Sequence, residues 1–493
     1  MTKLAKRIFG TRAIVWSRRI KGFWEEYRHN KIGLAGLAIL GVYILVAIFA
    51  PLLTPYDPIS SKDIADGYSV PEWMAFFSQY KHLPRTMEIS MKWIVTEASD
   101  AVSVIKNEDN ELVVFYNGTG SHSIILTSVF LYPYTPPEKF LVNFEWWAED
   151  VTDARYRMEF FTMNPAGSKF SLWSYPPMLF SPSNTNWTSV TIYSTTEELL
   201  SRLGLPWTAI VANEIFNEEG EYKFQLQMQF TSDSTTSGTA KLHFEKARLK
   251  IYGLLHGLLG TDSAGRDIAS QVIYGSQISL AIGLTSAILS TFLGILVGVV
   301  AGYAGGFADE GLMRTVDILL CLPVLPILLA LISLFGTSVW YLVMLIALFG
   351  WLGLSRLIRS VVLSLKEMPF IECARAAGAS KFYIMLRHMV PNVLPVALAA
   401  LVLAVPAAIL TEAAISFIGL GDPSTPSWGR MLNYAFTLGG FRNVGWLVNR
   451  GIKSMAWWWI IPPGLAITII TLGFVFVGHA VDEVINPRLR RRR

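Results

Sequence analysis

Apolar and polar positions follow two regimes along this chain. Near its start and through its later part, apolar residues run almost unbroken; between those parts they alternate with polar ones over short stretches. Six segments are long and apolar enough to span a bilayer, at about 32–53, 278–304, 316–336, 339–355, 393–420 and 457–479, because a crossing helix needs roughly 20 such residues. Several carry Gly or Pro, as in Cys321-Leu-Pro-Val-Leu-Pro326 and Ile461-Pro-Pro-Gly464. Membrane helices tolerate these because neighbours re-satisfy the freed backbone groups. Only Gly336-Thr-Ser338 separates the third span from the fourth.

Residues 57–256 read differently. Strand-like runs recur at Glu111–Tyr116, Ser123–Phe130, Phe140–Trp146, Tyr156–Phe161, Thr188–Tyr193, Tyr222–Phe230 and Ala240–Tyr252. Within Tyr222–Phe230 apolar and polar residues alternate strictly, the period-two signature of a half-buried strand. Turn residues separate the runs, among them Asn117-Gly118, Pro136-Pro137, Pro176-Pro177 and Ser232–Gly238. Short strands between such turns predict a β-sandwich. Only Glu197–Leu203 reads as helix, and no internal repeat is visible.

Composition sharpens the division. Of 493 residues, 52% are hydrophobic and 16% charged, against roughly 25% charged in a soluble domain; mean hydropathy is +0.41. The net charge of +4 hides a segregation: residues 1–31 hold nine Lys/Arg and two acids, residues 57–256 fifteen and twenty-four. Basic residues beside apolar spans argue against a nucleic-acid binder, which gathers them on a soluble face. Cys321 and Cys373 lie in unlike contexts, so neither a disulfide framework nor a zinc site is expected. The Lys/Arg distribution orients the spans. The basic N-terminus, the loop with Arg356, Arg359, Lys366, Arg375, Lys381 and Arg387, and the Arg490–Arg493 tail all favour the cytoplasm. Arg430, Arg442, Arg450 and Lys453 oppose this mildly, and the acidic 57–256 region falls outside the cell.

The resulting division is a cytoplasmic segment 1–31, a first transmembrane helix 32–56, an extracellular insertion 57–256, a five-helix core 257–480 with a cytoplasmic loop 366–391, and a basic tail 481–493. No Gly-x-x-x-x-Gly-Lys-Ser/Thr occurs, nor His-Glu-x-x-His, Gly-x-Ser-x-Gly or a Cys/His cluster. The phosphate-cradling route to ATP is therefore closed to this chain, and no catalytic, cofactor or metal residues are expected on it.

The cytoplasmic stretch Glu372-Cys-Ala-Arg-Ala-Ala-Gly378-Ala-Ser-Lys381 leads through Phe382 and Tyr383 to Pro391. Its small residues make a slim helix and turn that another backbone can approach. From spacing alone it is either a plain connection or a lever receiving force from a cytosolic protein.

This stretch resembles the Glu-Ala-Ala loop of ABC-importer permeases, with Glu372, Ala374, Gly378 and Pro391 on the pattern and Cys373 replacing the usual Ala. Gly260-Thr-Asp-Ser-Ala-Gly-Arg-Asp267, Tyr274-Gly and Ser279-Leu resemble the signature before the second span of the dipeptide/oligopeptide C-type subunits. So do Glu412-Ala-Ala-Ile-Ser-Phe-Ile-Gly-Leu-Gly421, Pro426-Ser-Trp-Gly429, Trp459–Ala466 and Asn486–Leu489. The resemblance is loose over 1–56 and close over 257–493. It implies an all-α bundle of six helices with the type I importer permease fold, into which the β-sandwich of 57–256 would be an insertion. It also implies a heterodimer with a B-type permease, two cytosolic ATPases that hold the ATP and Mg, and an external solute-binding protein. Glu372, Cys373, Ala374, Arg375, Ala376, Ala377, Gly378, Ala379, Ser380 and Lys381 would form the ATPase-coupling helix. Asp262, Gly265, Arg266 and Asp267 would lie near the outer entrance. Gln271 and Gln277 depart from the pattern, standing where Arg is usual, and the 57–256 region is far longer than the usual connection.

Asp317 and Glu412 are acids at or inside spans, where an unpaired charge costs at least a few kcal/mol. They read either as pathway or gate residues or as helix-end and interhelical hydrogen-bond partners. His479 reads as interfacial, and Arg490–Arg493 as a lipid-headgroup anchor.

The last strand of the outer domain, Lys241–Tyr252, resembles the closing strand of jelly-roll modules related to carbohydrate-binding domains. Trp146, Trp147, Trp173, Trp187 and Trp207 are candidates for sugar stacking, against the alternative that they fill a core. Docking of the solute-binding protein is the domain's other reading. Asn117-Gly-Thr119 and Asn186-Trp-Thr188 match the glycosylation sequon. Peptides and oligosaccharides both remain as cargo. An anchored receptor would not need six spans and a cytoplasmic lever, and an ion-coupled carrier would carry more buried ionisable residues.

Overall fold

A computed structural model describes residues 21–106, 111–175, 186–233, 235–450 and 452–485. The chain divides into two compact units, one of Met1–Ser60, Ile268–Arg442 and Met455–Arg493, the other of Ser61–Asp267 with Asn443–Ser454. The Asn486–Leu489 motif, the Arg490–Arg493 tail and the Pro176-Pro177 turn fall outside the described residues.

The first unit is helical. Its first membrane-length helix, Lys31–Ile48, starts where the Asn30 side chain accepts from the Gly33 amide at 2.9 Å, capping an otherwise orphan donor. A 37-residue helix, Ile268–Ala304, is the centre of the unit. Gly294, Gly298 and Gly302 recur on one face of it, where an added Cβ would meet Leu354, Ile358 and Val362 of the helix Leu352–Lys366 at 2.9, 2.7 and 2.9 Å. Bare backbone thus admits the larger side chains, the usual way helices approach where no hydrophobic driving force separates helix from lipid. Ser286 and Ser290 donate to the Val343 and Ala347 carbonyls of the helix Val339–Gly350, both at 3.4 Å.

Among the described residues five helices are long and apolar enough to cross a membrane, or six if one bent pair counts as a single span. That pair corrects the expected third span. In place of one rod over 316–336 stand two helices, Gly306–Cys321 and Val324–Phe335, bent by 88°. The break lies at Leu322-Pro323: Leu322 is extended (φ −78°, ψ 139°), as the residue before a proline prefers.

The second unit carries two antiparallel sheets. One has strands in the order β3 (Val102–Lys106), β4 (Leu112–Gly118), β11 (Gly238–Ile251), β6 (Phe140–Thr152) and β9 (Thr188–Tyr193), with β1 (Met87–Ser90) also on β11. The other runs β2 (Ile94–Ala98), β5 (Ser121–Tyr132), β10 (Gly220–Ser232), β7 (Ala154–Met163) and β8 (Lys169–Tyr175). Both sheets feed one core: alternate residues Phe140, Val142, Phe144 and Trp146 of β6 and Tyr222, Phe224, Leu226, Met228 and Phe230 of β10 are buried in it. Phe144 stacks on Phe160 across the sheets at 5.6 Å. The helix at Glu197–Leu203 forms as read, ending at Gly204 in the left-handed region. Four strands, β1, β2, β3 and β8, and the short helix Val211–Ile215 have no counterpart in the sequence reading. β2 is exposed at all five residues, so no alternation marks it.

Candidate functional site

The Glu372–Lys381 segment is shaped by two caps. Pro369 opens the helix Pro369–Ala376 in its first turn, where the missing N–H costs nothing. Glu372 lies in the first turn and Arg375 in the last, each on the favourable end of the helix dipole. The helix closes as Gly378 N donates to Arg375 O (2.9 Å) and Ala379 N to Ala374 O (3.0 Å), the paired bonds of a Schellman turn. Gly378 supplies the positive φ of 80° that this turn requires. Ser380 then caps the next turn, its Oγ accepting from Tyr383 N at 3.2 Å.

Ile371 and Ile384 root the segment. Both are fully buried among Val299, Tyr303, Ile358, Val362, Met389 and Val393. The Arg375 guanidinium lies 5.6 Å from the Tyr303 ring centroid. Glu372, Cys373, Arg375, Ala376, Ala377, Gly378, Ser380 and Lys381 are exposed, while Ala374 and Ala379 are half-buried. A Cβ on Gly378 would meet nothing within 4 Å. The glycine is therefore set by backbone conformation and leaves a flat outer surface. What results is a small exposed knob on a rigid apolar footing.

The Gly260–Asp267 turn is a buried structural knot. Asp262 accepts from Ala264 N (2.9 Å), Arg266 N (3.0 Å) and Arg266 Nε (2.7 Å). Gly265 has φ +69°, and its carbonyl accepts from Ile64 N at 3.0 Å. Asp262, Arg266 and Asp267 are all buried, and Asp267 Oδ1 lies 3.3 Å from His256 Nε2. None of these three side chains is open to a solute. Close by, Asp66 keeps a buried Oδ2 without a hydrogen-bond partner. Burial pushes its carboxyl up to about 6, with Lys139 opposing; spacing gave no hint of this residue.

Glu412 is buried within the helix Val390–Ile415, and Ser416 Oγ donates to its Oε1 at 2.7 Å. Asp317 lies half-exposed and pairs with Arg356, while Asp309 takes a bidentate bond from Arg359 (2.5 and 2.6 Å). Gln277 Nε2 donates to the Ala47 carbonyl at 2.6 Å, joining two spans where an Arg is usual; Gln271 is buried. Of the tryptophans, Trp146 is core, Trp173 packs edge-on to Phe144, and Trp147 stacks on His243 at 4.1 Å. Trp187 and Trp207 remain exposed. Asn117 is exposed at the end of β4 and Asn186 just before β9.

Comparison with known proteins agrees with the helical part. Residues 294–491 match the model of the binding-protein-dependent transport system inner membrane component, and residues 19–71 that of the N-terminal transmembrane domain of oligopeptide transport permease C. A peptide permease protein from Brucella suis biovar 1 is 37% identical over 230 residues, covering 46% of this chain and 72% of that protein. A MetNI methionine ABC transporter structure in inward-facing conformations aligns with 45% of this chain and 98% of its own, at 16% identity and a TM-score of 0.34. TmCBM61 in complex with β-1,4-galactotriose aligns with 32% and 86%, at 15% identity and a TM-score of 0.20. Neither structural likeness is close enough to carry an argument. The sequence matches are, and the apolar helices agree with them: the chain is a multi-pass membrane protein that belongs to the oligopeptide ABC-transporter permeases, as a C-type subunit.

Proposed function

We propose that this chain is the conduit and lever of an ATP-driven, binding-protein-dependent importer. It pairs with a B-type permease, and two cytosolic ATPases hold the ATP and Mg. A solute-binding protein delivers a peptide or an oligosaccharide. Both termini and the Glu372–Lys381 knob lie in the cytoplasm, and the two-sheet unit is an extracellular β-sandwich inserted between the first two spans, where the delivery protein docks. Asp317 and Glu412 serve the pathway or its gate through the helix packing they hold.

The observation that carries this reading is the knob itself, exposed outward and rooted by Ile371 and Ile384 in the helix cluster. A partner that grips the exposed face moves the helices because the footing is close-packed. ATP binding draws the ATPases together, the knobs follow, and the bundles rock between outward- and inward-facing states. Replacing Gly378 by a bulky residue should then uncouple transport while the chain still inserts. Undiminished substrate-stimulated ATPase activity in Gly378→Trp would refute the assignment.

A further inference from the structure

We infer that the outer face of the β6–β9 edge is a binding site for a neutral pyranose oligosaccharide. The inference concerns the two-sheet unit alone and does not depend on the transport reading. Along β9, Ile192 and Val190 turn into the core, so Ser189, Thr191 and Tyr193 share the opposite face, and Trp187, one residue before the strand, meets Trp147 of β6. Along β6, Phe144 and Trp146 are core, which places Asn143, Glu145 and Trp147 on that same outer face. Cross-strand register sets Asn143 opposite Thr191 and Glu145 opposite Ser189.

Two rings stand at the ends of this row. Trp187 is 43% exposed and Tyr193 48% exposed, six residues apart in nearly extended chain, which is about 20 Å and enough for several sugar rings. Trp187 is held edge-on to Trp147 at 5.9 Å, and Trp147 is itself stacked on His243, so the platform rests on a layered support. Between the rings lie neutral hydrogen-bonding groups, with Asn143 Nδ2 donating to Thr191 Oγ1 at 3.0 Å.

Much of the charge on this face is paired, and the exposed Arg248 opposite Asn143 adds a donor to the row. A bulge in β11 between Glu245 and Arg248 holds Lys246 at φ +52° and brings its ammonium to Glu145 at 2.8 Å. Lys241 pairs with Glu149, and Glu111 lies 2.5 Å from His243 Nδ1. Flat aromatic surfaces at both ends, with amide, hydroxyl and paired carboxylate groups between, suit a chain of rings with apolar C–H faces and hydroxyl rims.

The test is calorimetric titration of the full-length chain in nanodiscs with cellohexaose, mannohexaose and laminarihexaose. At least one should bind, with Trp187→Ala and Tyr193→Ala each lowering affinity ten-fold or more. Trp187→Phe should keep most of the affinity, and Trp207→Ala, which removes an exposed ring from a turn outside β6 and β9, should change nothing. Failure of all three sugars to bind overturns the inference. So does binding that survives both alanine substitutions, or that is lost equally in Trp207→Ala.

Discussion

Arg450 and Glu138, 312 positions apart in sequence, meet at 3.1 Å between Nη1 and Oε1. The same guanidinium donates from Nη2 to the Pro136 carbonyl at 2.7 Å and lies 5.5 Å from the Trp446 ring centroid. Arg450 thereby fastens Asn443–Ser454, a segment between two helices of the other unit, to the connection between β5 and β6. Trp446 and Leu447 of that segment are buried. The positive residues after Leu420 that oppose the charge-orientation rule thus include one with a structural task.

Arg450→Ala should free this segment. Both side chains are about one-fifth exposed, so the loss should be about 1.5–3 kcal/mol, the range for a hydrogen bond to a charged group. Amide hydrogen exchange over 443–454 should quicken with the rest of the two-sheet unit unchanged. Arg450→Lys should not restore protection, because a single ammonium cannot reproduce the forked geometry.

Asp262→Ala should be severe. It removes the acceptor for two backbone amides and a buried carboxylate partner of Arg266, a change of about 3–5 kcal/mol for a broken buried pair. Thermal unfolding of the purified chain should show it, with Asp262→Asn intermediate because Asn still accepts from the two amides.

Asp66 makes stability depend on pH in a defined sense. Its carboxyl is raised to about 6 in the folded unit by burial, above the usual unfolded value of about 3.9. The folded state therefore holds the proton more tightly. The contribution is full below about pH 4 and is lost as pH rises through 6, about 2–3 kcal/mol in all. Asp66→Asn should flatten this part of the pH–stability curve and raise stability at pH 7.

The Gly294, Gly298, Gly302 face predicts a sharp contrast between two glycines. At Gly298 an added Cβ would come within 2.7 Å of both Ile358 Cβ and the Ser355 carbonyl, so Gly298→Ala should cost about 1–3 kcal/mol by overpacking. Gly353 has open space around it, and Gly353→Ala should be neutral or stabilising by up to about 1 kcal/mol. Unfolding in detergent reads both.

The sequence was most informative where periodicity and burial coincide. β9 matches its expected run, and β10 with its strict alternation extends two residues beyond the expected run at each end. Exposed β2 has no pattern to read. The bend at Leu322-Pro323 is visible as prolines inside an apolar run, but the same signal is tolerated in unbroken helices such as Val390–Ile415, which keeps Pro395 and Pro406. The knob's residues were legible as a motif; its Schellman closure and its footing on Ile371 and Ile384 needed the fold. The burial of Asp262 and Arg266 was not legible, because charged residues in a glycine-rich loop ordinarily face solvent.

On the proposed reading this chain carries motion and solute but uses no nucleotide itself. Its most direct test is reconstitution of the purified chain in vesicles, with ATP and labelled peptide or oligosaccharide, alone and then with B-type permease, ATPases and binding protein. Flux is expected only from the complete assembly. ATP-dependent flux from the single chain would contradict it.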